Sequence, residues 1–408
     1  MDIADDPCVR QAHNAFLDRY FNPGIGAALS RHRELLAIEL LAATGGNATW
    51  RRIVAARPDP TSPGGPQASR SGRLSGPADL GPQFAGDPPF RALMRSHQSW
   101  YRATRLGAPF GVGPTATSTT PYGSMLAAEA AEAGANFVTP AIFERVKRRV
   151  AEGPGVEPFR CLRNMLSSQP LCFNLFGPLA DDLQLASRLL RSVVPDVDRV
   201  TEITFETAPA PAAEYLGDRT AFDVVIRYLT LDLTPAIIGV EVKLTEPFSP
   251  KVYDTLRYRA LTESVGSPFA RAGQEALADS RWNQLWRNHL LVEAVRGHPS
   301  TAPRTLGRLA VVRHPLDLDT HAAVQGYSAL LADPAASLLD WPLDHLTQVW
   351  SGEVDDGPVL DWLDELRLRY VDLDASRSTR VHTGGTPLRA SRIEDASGPA
   401  AGGSKGSI

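Results

Sequence analysis

The chain has 408 residues and a mass of 44.1 kDa, with 43% hydrophobic and 22% charged residues, a formal net charge of −4 and a pI near 6.2. These values describe a globular protein that is large enough to bury a full core and to form more than one structural unit. They exclude a small disulfide scaffold, an intrinsically disordered chain and a histone-like protein that coats nucleic acid through bulk positive charge.

The cysteines and the N-terminal residues indicate the compartment. Cys8, Cys161 and Cys172 are unevenly spaced and form no Cys-x-x-Cys pair, which argues against a disulfide framework and a cysteine-rich zinc site. The acidic start, Met1–Asp6, lacks the basic region of a signal peptide, and the best apolar run, Leu35–Thr44, is short and interrupted by a glutamate. We therefore expect a cytoplasmic protein with no membrane segment.

The amino-acid composition of the first half of the chain changes twice and divides it into three segments. Residues 1–57 carry apolar side chains at helical spacing and predict a helical N-terminal segment. Residues 58–89 are rich in proline, glycine and serine and predict a flexible linker. A folded domain is then expected over residues 90–373, beginning with a helix over Phe90–Arg105 and a turn-rich loop over Gly107–Gly123.

The core of this domain is predicted between about residues 162 and 313. We expect an α/β fold in which a four-stranded mixed sheet is flanked by helices. The expected helices cover 162–166, 178–193, 252–264 and 282–295, and the expected strands cover 200–205, 220–229, 237–245 and 306–312. The first three strands read as a meander with one apolar face. Further helical material follows over 341–373, and residues 374–408 have almost no apolar side chains and predict a disordered tail.

Three charged side chains in the second and third predicted strands are candidates for a catalytic group. Side chains alternate along a strand, so Glu241 and Lys243 share one face, and a hairpin with the preceding strand brings Asp223 near them. Carboxylate oxygens suit Mg²⁺ or Mn²⁺, and a lysine beside such a metal can orient water and offset the charge of a phosphate undergoing attack. The chain has only four lysines, and one of them lies inside this strand. The group therefore suits cleavage of a phosphodiester bond.

A simpler interpretation of the same residues is a hairpin whose outer face is merely solvated. Asp-…-Glu-x-Lys is a common pattern, and charged residues on a solvent-facing strand need no function. In that case Asp223 and Glu241 would lie apart on the surface.

The order of elements around these residues resembles the PD-(D/E)XK nuclease superfamily, which has the restriction-endonuclease-like fold. The matching residues are Asp223 and Glu241-Val242-Lys243, and the stretches Asn164–Gln169 with Phe173–Leu179, and Gly239–Pro250, are similar to a little-characterised bacterial branch. The residue before Asp223 is Phe222, so the proline of the family signature is missing.

The resemblance implies a divalent-metal-dependent nuclease that acts on DNA or, less in keeping with the pattern, on RNA. Asp223 and Glu241 would hold Mg²⁺ or Mn²⁺, Glu206 could add a third carboxylate, and Lys243 would orient the attacking water. Gln284 resembles a helix glutamine that approaches the active site in one branch of the family, although a surface helix residue would look the same. An inert nuclease-like module that binds nucleic acid or a partner protein without cutting is the alternative. A homodimer is left open, because cutting two strands needs two sites.

Overall fold

The computed structural model describes residues 79–377. The predicted helical segment (1–57), most of the predicted linker (58–78) and nearly all of the predicted disordered tail (378–408) lie outside the described residues. Residues 374–377, the first four of that predicted tail, are helical, so the prediction of disorder is wrong for these four residues. None of the helices in the described range is long and apolar enough to cross a bilayer.

Twelve α-helices are formed within residues 79–377. In chain order they are α1 (Pro89–Thr104), α2 (Ala128–Glu132), α3 (Pro140–Ala151), α4 (Pro158–Arg163), α5 (Ser168–Asp181), α6 (Leu183–Arg191), α7 (Leu256–Thr262), α8 (Asn283–Arg296), α9 (Leu318–Ser328), α10 (Pro334–Ser337), α11 (Leu343–Gly352) and α12 (Gly357–Tyr370). Their starts follow ordinary capping rules: Thr139, Ser167 and Asp182 each accept a backbone N–H of the helix that they precede. The helix predicted over 178–193 is in fact two helices, because Asp182 adopts an extended conformation between α5 and α6.

The strands form two sheets. They are β1 (Phe110–Val112), β2 (Pro121–Leu126), β3 (Val197–Thr207), β4 (Phe222–Thr230), β5 (Pro235–Val242), β6 (Leu306–Arg313) and β7 (Leu338–Pro342). β1 and β2 pair antiparallel within the stretch that was expected to be an irregular loop. The main sheet has the order β3-β4-β5-β6-β7; β3, β4 and β5 form an antiparallel meander, and β6 and β7 add in parallel.

The main sheet therefore has five strands, and the predicted number of four is wrong. The strand that was missed, β7, is five residues long and follows the four-residue helix α10 directly, so it is too short to show a period in the sequence. It nevertheless pairs with β6 from Leu309 to Arg313. The expected mixed α/β arrangement is otherwise confirmed.

Both faces of the sheet are packed, so the expectation of a single apolar face is wrong as well. One face, which includes Ile238, Val240 and Val242, lies against α5, α6, α11 and α12. The other face, which includes Val225 and Ile237, lies against α7, α8 and α9. Burial on both faces accounts for the nearly continuous apolar run of β5. It also means that any charged residue on β5 is enclosed by a helix rather than by water.

Gly239 is required by the close approach of an aromatic ring. A Cβ at this position would lie 2.3 Å from a ring carbon of Phe222 and 2.9 Å from a methyl group of Val292 on α8. The missing side chain thus makes room for Phe222, the residue before Asp223, in the interface between β4, β5 and α8. Packing at Gly239 consequently helps to fix the start of β4.

Substitution of Gly239→Ala is expected to lower the free energy of unfolding by about 1–3 kcal/mol, because the added methyl group overlaps atoms that are packed and cannot move away. Chemical denaturation with urea measures this change. Gly352→Ala is the matched control: a Cβ at the end of α11 meets no atom within 4 Å, so its effect should be neutral or slightly stabilising. Equal stability of the two variants would contradict the packing argument.

Candidate active site

The charged residues identified in the sequence meet where β4 begins and β5 ends. Val224 pairs with Val240 in the antiparallel register, which places Asp223 opposite Glu241. Asp223 Oδ2 accepts a hydrogen bond of 2.7 Å from the backbone N–H of Val242. Lys243 follows the last residue of β5, yet its backbone N–H still donates to Val312 of β6 at 2.8 Å, so it stays in line with the sheet.

Glu241 is a buried carboxylate, with only 4% of its surface exposed. Its Oε1 accepts hydrogen bonds from Lys243 Nζ at 2.8 Å and from Gln284 Nε2 at 2.6 Å. Its Oε2 accepts one from Asn288 Nδ2. Gln284 and Asn288 are four residues apart on α8 and therefore share one face of that helix. One ammonium group and two amides thus hold the carboxylate in a single orientation.

Lys243 is protonated in this environment. The side chain is 6% exposed, and burial by itself would lower its pKa, but the charge of Glu241 and the hydrogen bond to it raise the pKa above the ordinary value. The ammonium also lies 4.8 Å from the ring centroid of Phe248, a cation–π contact. In the metal-free protein Lys243 is therefore a hydrogen-bond donor rather than a proton acceptor.

Gln284 connects the carboxylate to the loop that follows β5. Its Nε2 donates to Glu241, and its Oε1 accepts from the backbone N–H of Ser249 at 2.7 Å and from Lys243 Nζ at 3.4 Å. Asn283, the preceding residue, exchanges hydrogen bonds with the backbone of Tyr253. The first turn of α8 therefore fixes the loop beside the site, and Gln284 is a partly buried residue that binds the site rather than an exposed helix residue.

Asp223 is partly buried, and its pKa is raised well above the ordinary value. Burial contributes most, the charges of Glu241 and Glu206 add to the increase, and the hydrogen bond from Val242 and the charge of Lys243 oppose it. The raised pKa of this carboxyl group therefore reflects its burial first and its two neighbouring carboxylates second.

Glu206 lies at the end of β3 in an unusual backbone conformation, with φ of 49°. This is the left-handed region, which is uncommon for a residue with a side chain and is found where surrounding contacts impose it. Arg149 supplies such contacts, because its guanidinium donates to the carbonyl oxygens of Phe205 and Glu206, both at 2.8 Å. The side chain of Glu206 accepts from Gln169 Nε2 at 2.8 Å.

Burial raises the pKa of Glu206 to about 7, although the hydrogen bond from Gln169 and the charge of Arg160 lower it and the charge of Glu241 raises it. For both Glu206 and Asp223, ionisation is therefore unfavourable because it places a negative charge in a poorly hydrated region.

The donor set fits a divalent cation. Carboxylate oxygens are the ligands that Mg²⁺ and Mn²⁺ prefer, and a cation would offset the burial and the repulsion that together raise the pKa values of Asp223 and Glu206. Among residues 79–377, no three His, Cys, Asp or Glu side chains stand close enough to form a complete metal-binding group. A cation at this site would therefore rely on fewer protein carboxylates, with water or substrate oxygens completing its shell.

The solvent-facing hairpin interpretation is wrong, because Glu241 and Lys243 are enclosed by α8 and Asp223 lies opposite Glu241. Two contributors were not assigned a role from the sequence. Asn288 could have been found from its position four residues after Gln284 on one helix face. Gln169 lies two residues after Ser167, which caps α5, and its side chain binds Glu206.

Comparison with known families gives a match to one family model. The model of the PD-(D/E)XK nuclease superfamily matches residues 85–372. No curated protein and no solved structure matches the chain.

Glu206 is expected to make the stability of the metal-free protein depend on pH. Its pKa is about 7 in the folded state and near 4.5 in the unfolded state, so between these values the folded protein holds a proton that the unfolded chain has released. Stability therefore falls as the pH rises from about 4.5 to about 7. Glu206→Gln removes this loss and should gain about 1–3 kcal/mol over the wild type between pH 5 and pH 8.

Urea unfolding at several pH values in the presence of EDTA measures this gain. Glu202→Gln is the control, because Glu202 lies on the same strand with an exposed carboxylate paired with Arg227. A constant difference between Glu206→Gln and the wild type over this pH range would show that the carboxyl group titrates normally.

Proposed function

The chain belongs to the PD-(D/E)XK nuclease superfamily, whose members are generally nucleases that typically use divalent metal ions, and we propose on that premise that it is a metal-dependent nuclease hydrolysing phosphodiester bonds of DNA. One observation carries this proposal. The buried Glu241 and Lys243 pair lies opposite Asp223 and is held by two amides of α8. Beside this pair, Asp223 and Glu206 are only partly compensated, which a merely structural site would not need.

Asp223 and Glu241 are the residues that would hold the cation, which we take to be Mg²⁺, with Mn²⁺ as a substitute. Glu206 influences Asp223 through its charge, but its side chain would have to move closer to supply a third carboxylate. A bound divalent cation supplies a Lewis acid for a phosphate oxygen and lowers the pKa of a bound water molecule.

Lys243 would act through its N–H groups. One N–H donates to Glu241 and a second to Gln284, and no other hydrogen-bond acceptor for the ammonium occurs in the part of the chain that the structure describes. The third N–H can therefore donate to the attacking water or to a phosphate oxygen. In the reaction, the water oxygen bonds to phosphorus and the water gives up a proton, while the bond from phosphorus to the leaving oxygen breaks and that oxygen takes up a proton. A donor at Lys243 would stabilise the charge that develops on the phosphate.

A cleavage assay tests this function. Asp223→Asn and Lys243→Ala are each expected to lower the rate by at least about 100-fold, because each removes an interaction made with the cation or the reacting phosphate. The substrates are linear, circular and single-stranded DNA and RNA, each incubated with Mg²⁺ or Mn²⁺ and with EDTA. The controls are Asp232→Asn, at the opposite end of the β4-β5 hairpin, and Lys147→Ala, an exposed lysine of α3 that pairs with Glu144; both should cut normally.

No cleavage of any substrate by the folded wild-type protein, together with no uptake of metal, would contradict the proposal. That result would favour the inert module that binds nucleic acid or a partner protein.

Asn288 is expected to position Glu241 for the metal. Oε1 of Glu241 already accepts two hydrogen bonds, whereas Oε2 accepts only the bond from Asn288, so Oε2 keeps one lone pair for a cation. Asn288→Ala frees the carboxylate to rotate and should weaken Mn²⁺ binding about 10–100-fold, as loss of an outer hydrogen bond does at other metal sites. Calorimetry or electron paramagnetic resonance with Mn²⁺ measures the affinity.

Excess Mg²⁺ should restore much of the cleavage by Asn288→Ala. Asn283→Ala is the control on the same helix: it releases the loop at Tyr253, so it should alter the KM for nucleic acid and leave the metal affinity unchanged. Equal metal affinities for Asn288→Ala and the wild type would show that Asn288 serves packing only.

A further inference from the structure

A cavity of about 400 Å³ lies outside the cluster of carboxylates. It is bounded by the segment before α1, by the first turns of α1, by β2 and by the segment that joins α4 to α5. Its volume falls within the range of small-molecule sites and is large enough for one nucleotide. The metal chemistry proposed above does not use it.

The cavity wall carries an excess positive charge. Arg91, Arg95 and Asp87 line it, and Asp87 binds Arg95 through both carboxylate oxygens. Arg95 also donates to the hydroxyl of Ser124 at 2.9 Å, so its guanidinium is well occupied. Arg91 approaches the same Asp87 with its Nε at 3.2 Å, but that buried nitrogen makes no hydrogen bond. The two arginines share one carboxylate, and Arg91 retains donors for an anion.

The cavity is lined by the exposed aromatic ring of Phe84. Phe84 is 50% exposed, and a Cβ on Gly86 would lie 2.9 Å from its ring, so the ring rests close to bare backbone. Its edge meets the ring of Tyr122 with centroids 6.3 Å apart. Tyr122 in turn lies under the guanidinium of Arg95, at 5.0 Å. An exposed aromatic ring beside a cation is the combination that binds a base and a phosphate together.

Asn164 adds a polar donor to the cavity. Its Oδ1 accepts from the backbone N–H of Leu166 at 3.0 Å, while its Nδ2 donates to no residue within the described range 79–377. A side-chain amide of this kind can donate to the edge of a base or to a sugar oxygen.

The cavity is connected to the candidate active site by a short segment. Leu166 lines the cavity, and its carbonyl oxygen accepts a hydrogen bond of 3.1 Å from the hydroxyl of Thr245, two residues after Lys243. The backbone N–H of Ser168 donates to Glu246 at 3.0 Å. The segment that lines the cavity is therefore hydrogen-bonded to the residues that follow Lys243.

We propose that this cavity binds a nucleotide, with its phosphate on Arg91 and its base against Phe84. The choice of a nucleotide over another aromatic anion rests on the proposed function. The nucleotide could be the phosphorylated end of a nucleic-acid strand or a free nucleoside monophosphate, and both present the same chemistry to the cavity.

Binding in EDTA tests the inference without any cleavage. One arm uses fluorescence anisotropy with short single-stranded oligonucleotides that carry a phosphate at the 5′ end, at the 3′ end or at neither. The other uses calorimetry with adenosine monophosphate, adenosine and inorganic phosphate. The wild type should bind a phosphorylated ligand about tenfold more tightly than its unphosphorylated counterpart, as one charge-assisted contact allows. Preference in the first arm identifies a strand end, and preference in the second alone identifies a free nucleotide.

Arg91→Gln should abolish the preference for phosphate, and Phe84→Ala should weaken adenosine and adenosine monophosphate alike. Arg105→Gln is the control, because Arg105 is an exposed arginine after the same helix that pairs with Glu365 away from the cavity. All three side chains are at least partly exposed, and circular dichroism checks that the variants fold.

The inference is overturned if neither arm shows a preference for phosphate, if the preference survives in Arg91→Gln, or if inorganic phosphate binds as tightly as adenosine monophosphate. If the protein cuts DNA but shows no such preference, the proposed nucleotide site is wrong and the proposed nuclease activity stands. If it shows the preference but does not cut, the proposed nuclease activity is wrong and the nucleotide site stands.

Discussion

The burial of the Glu241 carboxylate is the constraint on which the surrounding structure depends. An ionised group enclosed between a sheet and a helix is costly unless every oxygen is hydrogen-bonded. Lys243 on the same strand and the two amides of α8 meet that requirement. The interaction therefore fixes the rotation of α8 over β5. It also fixes the loop after β5, because Gln284 accepts from Ser249 while it donates to Glu241.

The neighbouring carboxylates are less well compensated, and this imbalance is what gives the site its chemical character. Asp223 has one backbone donor, Glu206 has one amide donor, and burial raises the pKa of both. Glu206 is also held at a positive φ by the carbonyl contacts of Arg149. Strain and repulsion of this kind reduce stability and are retained where function requires them. A cation between the carboxylates would attract both of them and offset their mutual repulsion.

The segment from Asn164 to Gln169 joins the separate parts of the molecule. Asn164 faces the cavity, Leu166 accepts from Thr245, Ser168 donates to Glu246, and Gln169 binds Glu206. Six consecutive residues thus contact the cavity, the end of the strand that carries Lys243, and the outermost carboxylate. A substitution in this segment would therefore alter contacts at the cavity, at the end of β5 and at Glu206.

The sequence by itself determined the elements whose pattern is local. The alternation in β5 placed Glu241 and Lys243 on one face, and the lengths of β4, β5 and α8 were predicted to within a few residues, because a period of two or of 3.6 is visible in a single segment. The order of those elements indicated the superfamily that the family model matches.

Tertiary structure decided the rest. The pairing of β7 depends on β6, the burial of Glu241 depends on α8, and the contact of Asn288 with Glu241 joins residues that are 47 positions apart. The cavity forms only when α1 and β2 meet the segment after α4. Such contacts depend on how the elements pack in three dimensions, and a periodic pattern within one segment carries no information about its neighbours.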